Sequence, residues 1–115
     1  MSTTAAAPIA RLRETDVQEI VGRLVREFSP RAIYLFGSHV YGTPHRDSDV
    51  DVLVIFDDPA PDRIELAKRG YVSLHGLDLP VELHFATATT FERFSTVIGS
   101  FHRDVKQRGR VVYAA

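Results

Sequence analysis

The chain has no cysteine, which excludes disulfides and thiolate sites. No stretch approaches the ~18 apolar residues of a membrane span, so no membrane association is expected. Its start lacks the cationic-then-apolar order of a secretory leader, which makes the cytoplasm the expected compartment. Neither sign of charge dominates. Fourteen Lys and Arg against fifteen Asp and Glu leave a net charge of −1 and a pI near 6.5. Such a balance carries no mark of a general nucleic-acid surface, and no direct nucleic-acid partner is expected. Internal repeats, low-complexity tracts and linkers are missing too. What remains is an ordinary globular composition, 44% hydrophobic and 25% charged over 115 residues. That length gives one domain with a single core and is too short for a separate lid or cap domain.

Met1 to about Ala10 is small and neutral and reads as a frayed end, so residues 1–12 are taken as a flexible N-terminus and 13–115 as the domain. From Glu14 to Phe28, Val17, Ile20, Val21, Leu24, Val25 and Phe28 form a one-faced helical stripe, with Thr15 or Asp16 as N-cap and Ser29-Pro30 as its stop. Arg31–Phe36 is a strand by its β-branched and aromatic content. Residues 38–42 form a short helical turn, and 43–48 a polar loop. Asp49–Phe56 is a second strand, apolar on both faces after its two acids and therefore central in its sheet. Pro61 to about Leu77 reads as a helix with a mixed apolar face of Ile64, Leu66, Ala67, Tyr71, Val72 and Leu74. Leu79–Ala86 is a third strand, with Pro80 near its start suiting an edge or a first position. A single helix then runs from Thr89 or Thr90 to about Gln107, Gly109 caps it, and Arg110–Tyr113 is a last short strand. The class is α/β, a single domain with a mixed central sheet of about four strands flanked by helices.

The chemistry concentrates in residues 37–51. Gly37-Ser38 follows one apolar run, and ten residues later Asp49-Val50-Asp51 opens the next. A glycine after a strand lets the backbone turn sharply and approach a ligand closely. A helix starting at Ser38 would add free N–H groups and a hydroxyl for an anion. Alternation along a strand puts Asp49 and Asp51 on one face, where two like charges repel unless a cation or a proton intervenes. Mg²⁺ typically takes one or two protein carboxylates and completes its shell with phosphate oxygens and water. A phosphate turn and an acidic metal site joined by a short loop therefore suit a nucleoside triphosphate.

Glu82 is the third candidate acid. In the third strand Val81, Leu83 and Phe85 define one face, and Glu82 and His84 the other. If that strand neighbours the one carrying Asp49 and Asp51, Glu82 joins their face, to complete a second metal site or to act as general base. His84 shares that face, in position to orient a carboxylate or touch substrate, but reads first as a surface histidine with no role. His39, His45, His75 and His102 show no metal-ligand spacing. Arg46, in the loop beside the acids, is a candidate phosphate contact. The basic residues from Arg103 to Arg110 read as a helix end favouring cations.

Phe36-Gly37-Ser38, Gly42 and Ser48-Asp49-Val50-Asp51-Val52-Leu53-Val54 together resemble the signature of the DNA-polymerase-β-like nucleotidyltransferase superfamily. The chain's small size and its ending Arg108-Gly109-Arg110-Val111-Val112-Tyr113 resemble the minimal nucleotidyltransferase branch, whose members often serve as MntA-type antitoxins of HEPN/MNT toxin–antitoxin pairs. The resemblance spans roughly residues 17–113. It implies a core sheet flanked by helices and a cleft for ATP or another NTP with two Mg²⁺ ions. Gly37 and Ser38 would hold the triphosphate, Asp49 and Asp51 would bind Mg²⁺, and Glu82 would stand for the third acid. Two positions depart from the pattern: Glu82 replaces the usual aspartate, one methylene shorter, and His39 stands where many relatives carry arginine.

The implied reaction is transfer of AMP from ATP to a tyrosine hydroxyl of a cognate HEPN ribonuclease toxin, with which the chain would form a hetero-oligomer. Phosphate charge added near an RNA-cutting site would repel RNA and silence the toxin. Two other readings stay open. One is an antitoxin that neutralises by binding alone. The other is small-molecule nucleotidylation of the aminoglycoside type, whose enzymes carry an additional helical domain that these residues do not provide.

Overall fold

A computed structural model describes residues 12–41 and 49–115. The loop with Gly42 and Arg46 and the N-terminal segment up to residue 11 lie outside the described residues. Among the described residues nine elements follow one another: α1 (Glu14–Phe28), β1 (Ala32–Phe36), α2 (Ser38–Tyr41), β2 (Val50–Phe56), α3 (Arg63–Ser73), β3 (Val81–Thr87), α4 (Ala88–Phe94), α5 (Phe101–Arg108) and β4 (Arg110–Ala114).

The four strands form one sheet in the order β3-β2-β1-β4. β1 runs antiparallel to β2 and β4, whereas β2 and β3 are parallel, so the sheet is mixed as expected. A parallel pair needs a crossover, and α3 supplies it. β2 is central, in keeping with its nearly unbroken apolar run, and β3 is an edge.

Alternation along the strands builds two apolar layers. On one face Val17, Ile20, Leu24 and Phe28 of α1 and Leu66 of α3 pack on Ile33, Leu35, Val50, Val52, Val54 and Phe56. On the other, Phe91 of α4 and Val105 of α5 pack on Phe36, Leu53, Ile55 and Ala86. Each such side chain taken fully from water contributes about 1.5–3 kcal/mol. α1 follows its stripe to the residue and ends at Ser29, a left-handed position (φ 45°) whose N–H donates to the Val25 carbonyl. Its cap position is Arg13, not Thr15 or Asp16. Asp16 lies in the first turn and accepts the Arg13 N–H at 3.2 Å, and the Arg13 side chain holds the Asp16 carboxyl below the usual range.

Two helices differ from their sequence patterns. The single helix expected from Thr89 to Gln107 is broken at residues 95–100, giving α4 and α5. There the Ser95 and Thr96 hydroxyls donate to the carbonyls of Glu92 and Arg93, a local bond that competes with continued helix. Gly99 takes φ 85°, and Ser100 starts α5 by accepting from the Arg103 N–H. Val97 and Ile98, which prolong the helical pattern in the sequence, are consequently exposed. α3 is shorter than the expected 61–77, bounded by the side chain of Asp62, which accepts from Ile64 and Glu65, and by Leu74. Only Leu66 and Gly70 of α3 are buried, so Ile64, Tyr71 and Val72 of its expected apolar face point to solvent.

Gly109 closes the fold. A β-carbon there would stand 2.5 Å from the Val105 carbonyl oxygen and 2.9 Å from that of Leu35, so only glycine lets α5 run directly into β4 beside β1.

Candidate active site

β1 and β2 are antiparallel, so the end of one lies beside the start of the other, and Phe36 pairs with Asp51. Gly37 follows with φ 83°, a left-handed turn that glycine takes at little cost. A side chain there is also excluded by space: a β-carbon would fall on Oδ2 of Asp51 and lie 3.1 Å from its Cγ. The two halves of the sequence motif thus touch, the carboxylate of one filling the room left by the missing side chain of the other. Ser38 then opens α2, a single turn whose Val40 and Tyr41 N–H groups donate to the Gly37 carbonyl. Tyr41 anchors α2 to α5, its hydroxyl donating to Asp104 Oδ2 at 3.0 Å under the Arg108 guanidinium, 4.0 Å from the ring centroid. Arg108 itself reaches Asp104 Oδ1 at 3.2 Å, and Arg110 pairs with Glu14. Those two members of the basic stretch are therefore engaged within the fold.

The parallel register of β2 and β3 sets Glu82 opposite Asp51 and His84 opposite Leu53. Asp51, Glu82 and His84 consequently share one face at the same end of the sheet, with one ligand atom of each within 4.8 Å of the others. His84 Nε2 stands 3.8 Å from Asp51 Oδ1 and 3.8 Å from Glu82 Oε2. Burial first, and then the charge of Glu82, raise the Asp51 carboxyl above its ordinary value; His84 opposes this, and Asp49 adds to it slightly. Asp49 itself is exposed, one residue before β2, and is not a member of the three-residue cluster.

His84, read from the sequence as a surface histidine in preference to one that orients a carboxylate or touches substrate, is only partly exposed. Its ring packs at 5.2 Å from that of Phe36 and 5.6 Å from that of Phe101, and its Nε2 is buried without a hydrogen-bond partner. The signal was its two-residue spacing from Glu82, but the ring contacts depend on α5 and carry no local mark in the sequence. A buried imidazole nitrogen with no partner, facing two carboxylates one of which resists ionisation, fits a divalent cation.

The fold is α/β, with two carboxylates and an imidazole gathered at the start of a parallel strand pair. Residues 17–112 match the profile of the nucleotidyltransferase domain, and the chain belongs to that family. A crystal structure from Sulfolobus solfataricus, assigned as a nucleotidyltransferase, shares the fold with a TM-score of 0.65 and 16% identity, over 99% of this chain and 92% of that one. A toxin–antitoxin structure with AMP-PNP gives a TM-score of 0.59 and 25% identity, over 85% of this chain and 73% of that one. A mutant of the toxin–antitoxin MntA–HpeT gives 0.57 and 23%, over 90% and 75%. Among curated proteins none matches the chain.

Proposed function

We propose that the chain is a Mg²⁺-dependent antitoxin that transfers AMP from ATP to a tyrosine hydroxyl of a cognate HEPN ribonuclease toxin in the cytoplasm. The observation that carries the reading is the juxtaposition of Gly37 with Asp51, and of Asp51 with Glu82 across the parallel register. The likeness to a toxin–antitoxin structure with AMP-PNP supports both an adenine nucleotide and a toxin partner.

In this reading Asp49, Asp51 and Glu82 hold two Mg²⁺ ions, which when bound neutralise triphosphate charge and polarise the α-phosphate. Gly37 lets the backbone approach the triphosphate, Ser38 offers its hydroxyl and Arg46 a charge. Glu82, the exposed member of the cluster, accepts the proton of the attacking hydroxyl. The acceptor oxygen bonds to the α-phosphorus as its bond to the pyrophosphate oxygen breaks, and pyrophosphate leaves. Asp51, held by the sheet between Gly37 and Glu82, fixes the reacting groups in place.

Incubation with labelled ATP, Mg²⁺ and the neighbouring toxin should label the toxin, and the label should vanish with Asp49→Ala plus Asp51→Ala. If that double variant still protects cells from the toxin, neutralisation works by binding and transfer is dispensable.

A further inference from the structure

We propose that His84 is a direct ligand of the metal ion held by Asp51 and Glu82, giving the site one nitrogen and two oxygen donors and a preference for Mn²⁺ over Mg²⁺. This rests on the reading of Asp51 and Glu82 as metal ligands and adds to it a donor of another chemical type.

Three observations carry it. Strand alternation aims Glu82 and His84 at the same side of β3, and the register brings Asp51 opposite Glu82, so one donor atom of each lies within 4.8 Å of the others. The spacing is close to that of atoms around an ion, and side-chain rotation alone can close the difference. With ligand bonds of about 2.1 Å, cis ligands of one ion stand about 3 Å apart and trans ligands about 4.2 Å. The two His84 Nε2 distances, both 3.8 Å, lie inside the trans limit, and a side-chain adjustment of under about 1 Å brings them to the cis spacing. They also exceed hydrogen-bond reach, so His84 is not simply bonded to either carboxylate. Finally, Nε2 is buried and unpartnered, whereas the ring is held by Phe36 and Phe101. Leaving such an atom unsatisfied costs free energy, which coordination would relieve. The aromatic packing fixes the direction of the lone pair before any ion arrives.

The donor set determines the metal. Carboxylate, phosphate and water suit Mg²⁺, whereas an imidazole shifts preference toward the first-row transition metals. Mn²⁺ accepts both donor types and keeps the octahedral shell that a triphosphate requires.

The test uses the full chain with Mn²⁺ alone. Pulsed EPR of the Mn²⁺-bound protein should show coupling to a directly bound ¹⁴N, and His84→Gln should remove it. By competition, His84→Gln should weaken Mn²⁺ by at least about tenfold, equivalent to about 1.4 kcal/mol, and Mg²⁺ by a smaller factor. Mn²⁺ bound in an Asp51-dependent manner without ¹⁴N coupling in the unsubstituted chain would overturn the His84 assignment and leave the acid site standing. Mn²⁺ binding unchanged by Asp51→Asn would overturn both the assignment and the metal-site reading beneath it. Absence of ¹⁴N coupling in the unsubstituted chain would overturn the His84 assignment even if the variants do not fold.

Discussion

The two faces of the sheet are built to different ends. The α1/α3 face is sealed: Ile20, Leu24, Ile33, Val50, Val52 and Val54 show no solvent exposure at all. The α4/α5 face has a smaller apolar layer, and beyond Leu53 and Phe36 it opens into Asp51, Glu82 and His84. One strand, β2, serves both, because alternation points Val50 and Val52 to the sealed side and Asp51 to the open one. Stability and chemistry are thereby separated by a single peptide step. A sealed face can tolerate no polar group, whereas an open one can hold two carboxylates at a cost that a cation repays.

The contrast can be broken most severely from the sealed side. Leu24→Ala removes a fully buried side chain of α1 and should cost about 2–5 kcal/mol of stability, read by urea denaturation. Below the denaturation transition, the Mg²⁺ affinity of the folded fraction should be unchanged. Gly37→Ala tests the junction. Its β-carbon has neither a suitable φ nor space beside Asp51, so transfer activity should fall about a hundredfold, as for a small misplacement of reacting groups. A stability loss of about 1–3 kcal/mol should accompany it.

On the open face the sign reverses. Asp51→Asn removes a charge that burial and Glu82 disfavour, so in EDTA at neutral pH the variant should be more stable than the unsubstituted protein, by about 0.5–2 kcal/mol. The folded-state pKa of Asp51 is raised, so its contribution to stability is present below the unfolded value, 3.8, and is lost as pH rises through the folded one. The advantage of Asp51→Asn should therefore be near zero in acid and grow as pH rises above that range. Mg²⁺ should cancel it, stabilising the unsubstituted protein alone. A constant difference from acid to neutral pH would mean that Asp51 is not the source. Smallest of all, Tyr41→Phe deletes the hydroxyl that donates to Asp104 and should cost about 0.5–1.5 kcal/mol by the same denaturation measurement.

Local pattern made much of this legible. The α1 stripe and the face shared by Glu82 and His84 follow from periods of 3.6 and 2, the central place of β2 follows from its apolar run, and the edge position of β3 is one of the two places Pro80 suits. Neighbouring residues express all of these without help from the rest of the chain. The same logic failed for the helix after β3. The apolar spacing ran on through Val97 and Ile98, but the Ser95 and Thr96 hydroxyls and the turn at Gly99 competed with it. Periodicity records which side chains would be buried if a helix continued and is silent on whether it does.

By itself, the sequence determined that an acid pair opens a buried strand ten residues after a Gly-Ser turn, and that Glu82 and His84 look the same way from their own strand. Only the tertiary structure decided that those two directions meet. The parallel pairing of β2 with β3 depends on the α3 crossover, and the confinement of His84 depends on Phe36 from β1 and Phe101 from α5. Side-chain alternation is a property of one strand, whereas a site of three donors needs the register between strands, and register is set by packing over the whole sheet.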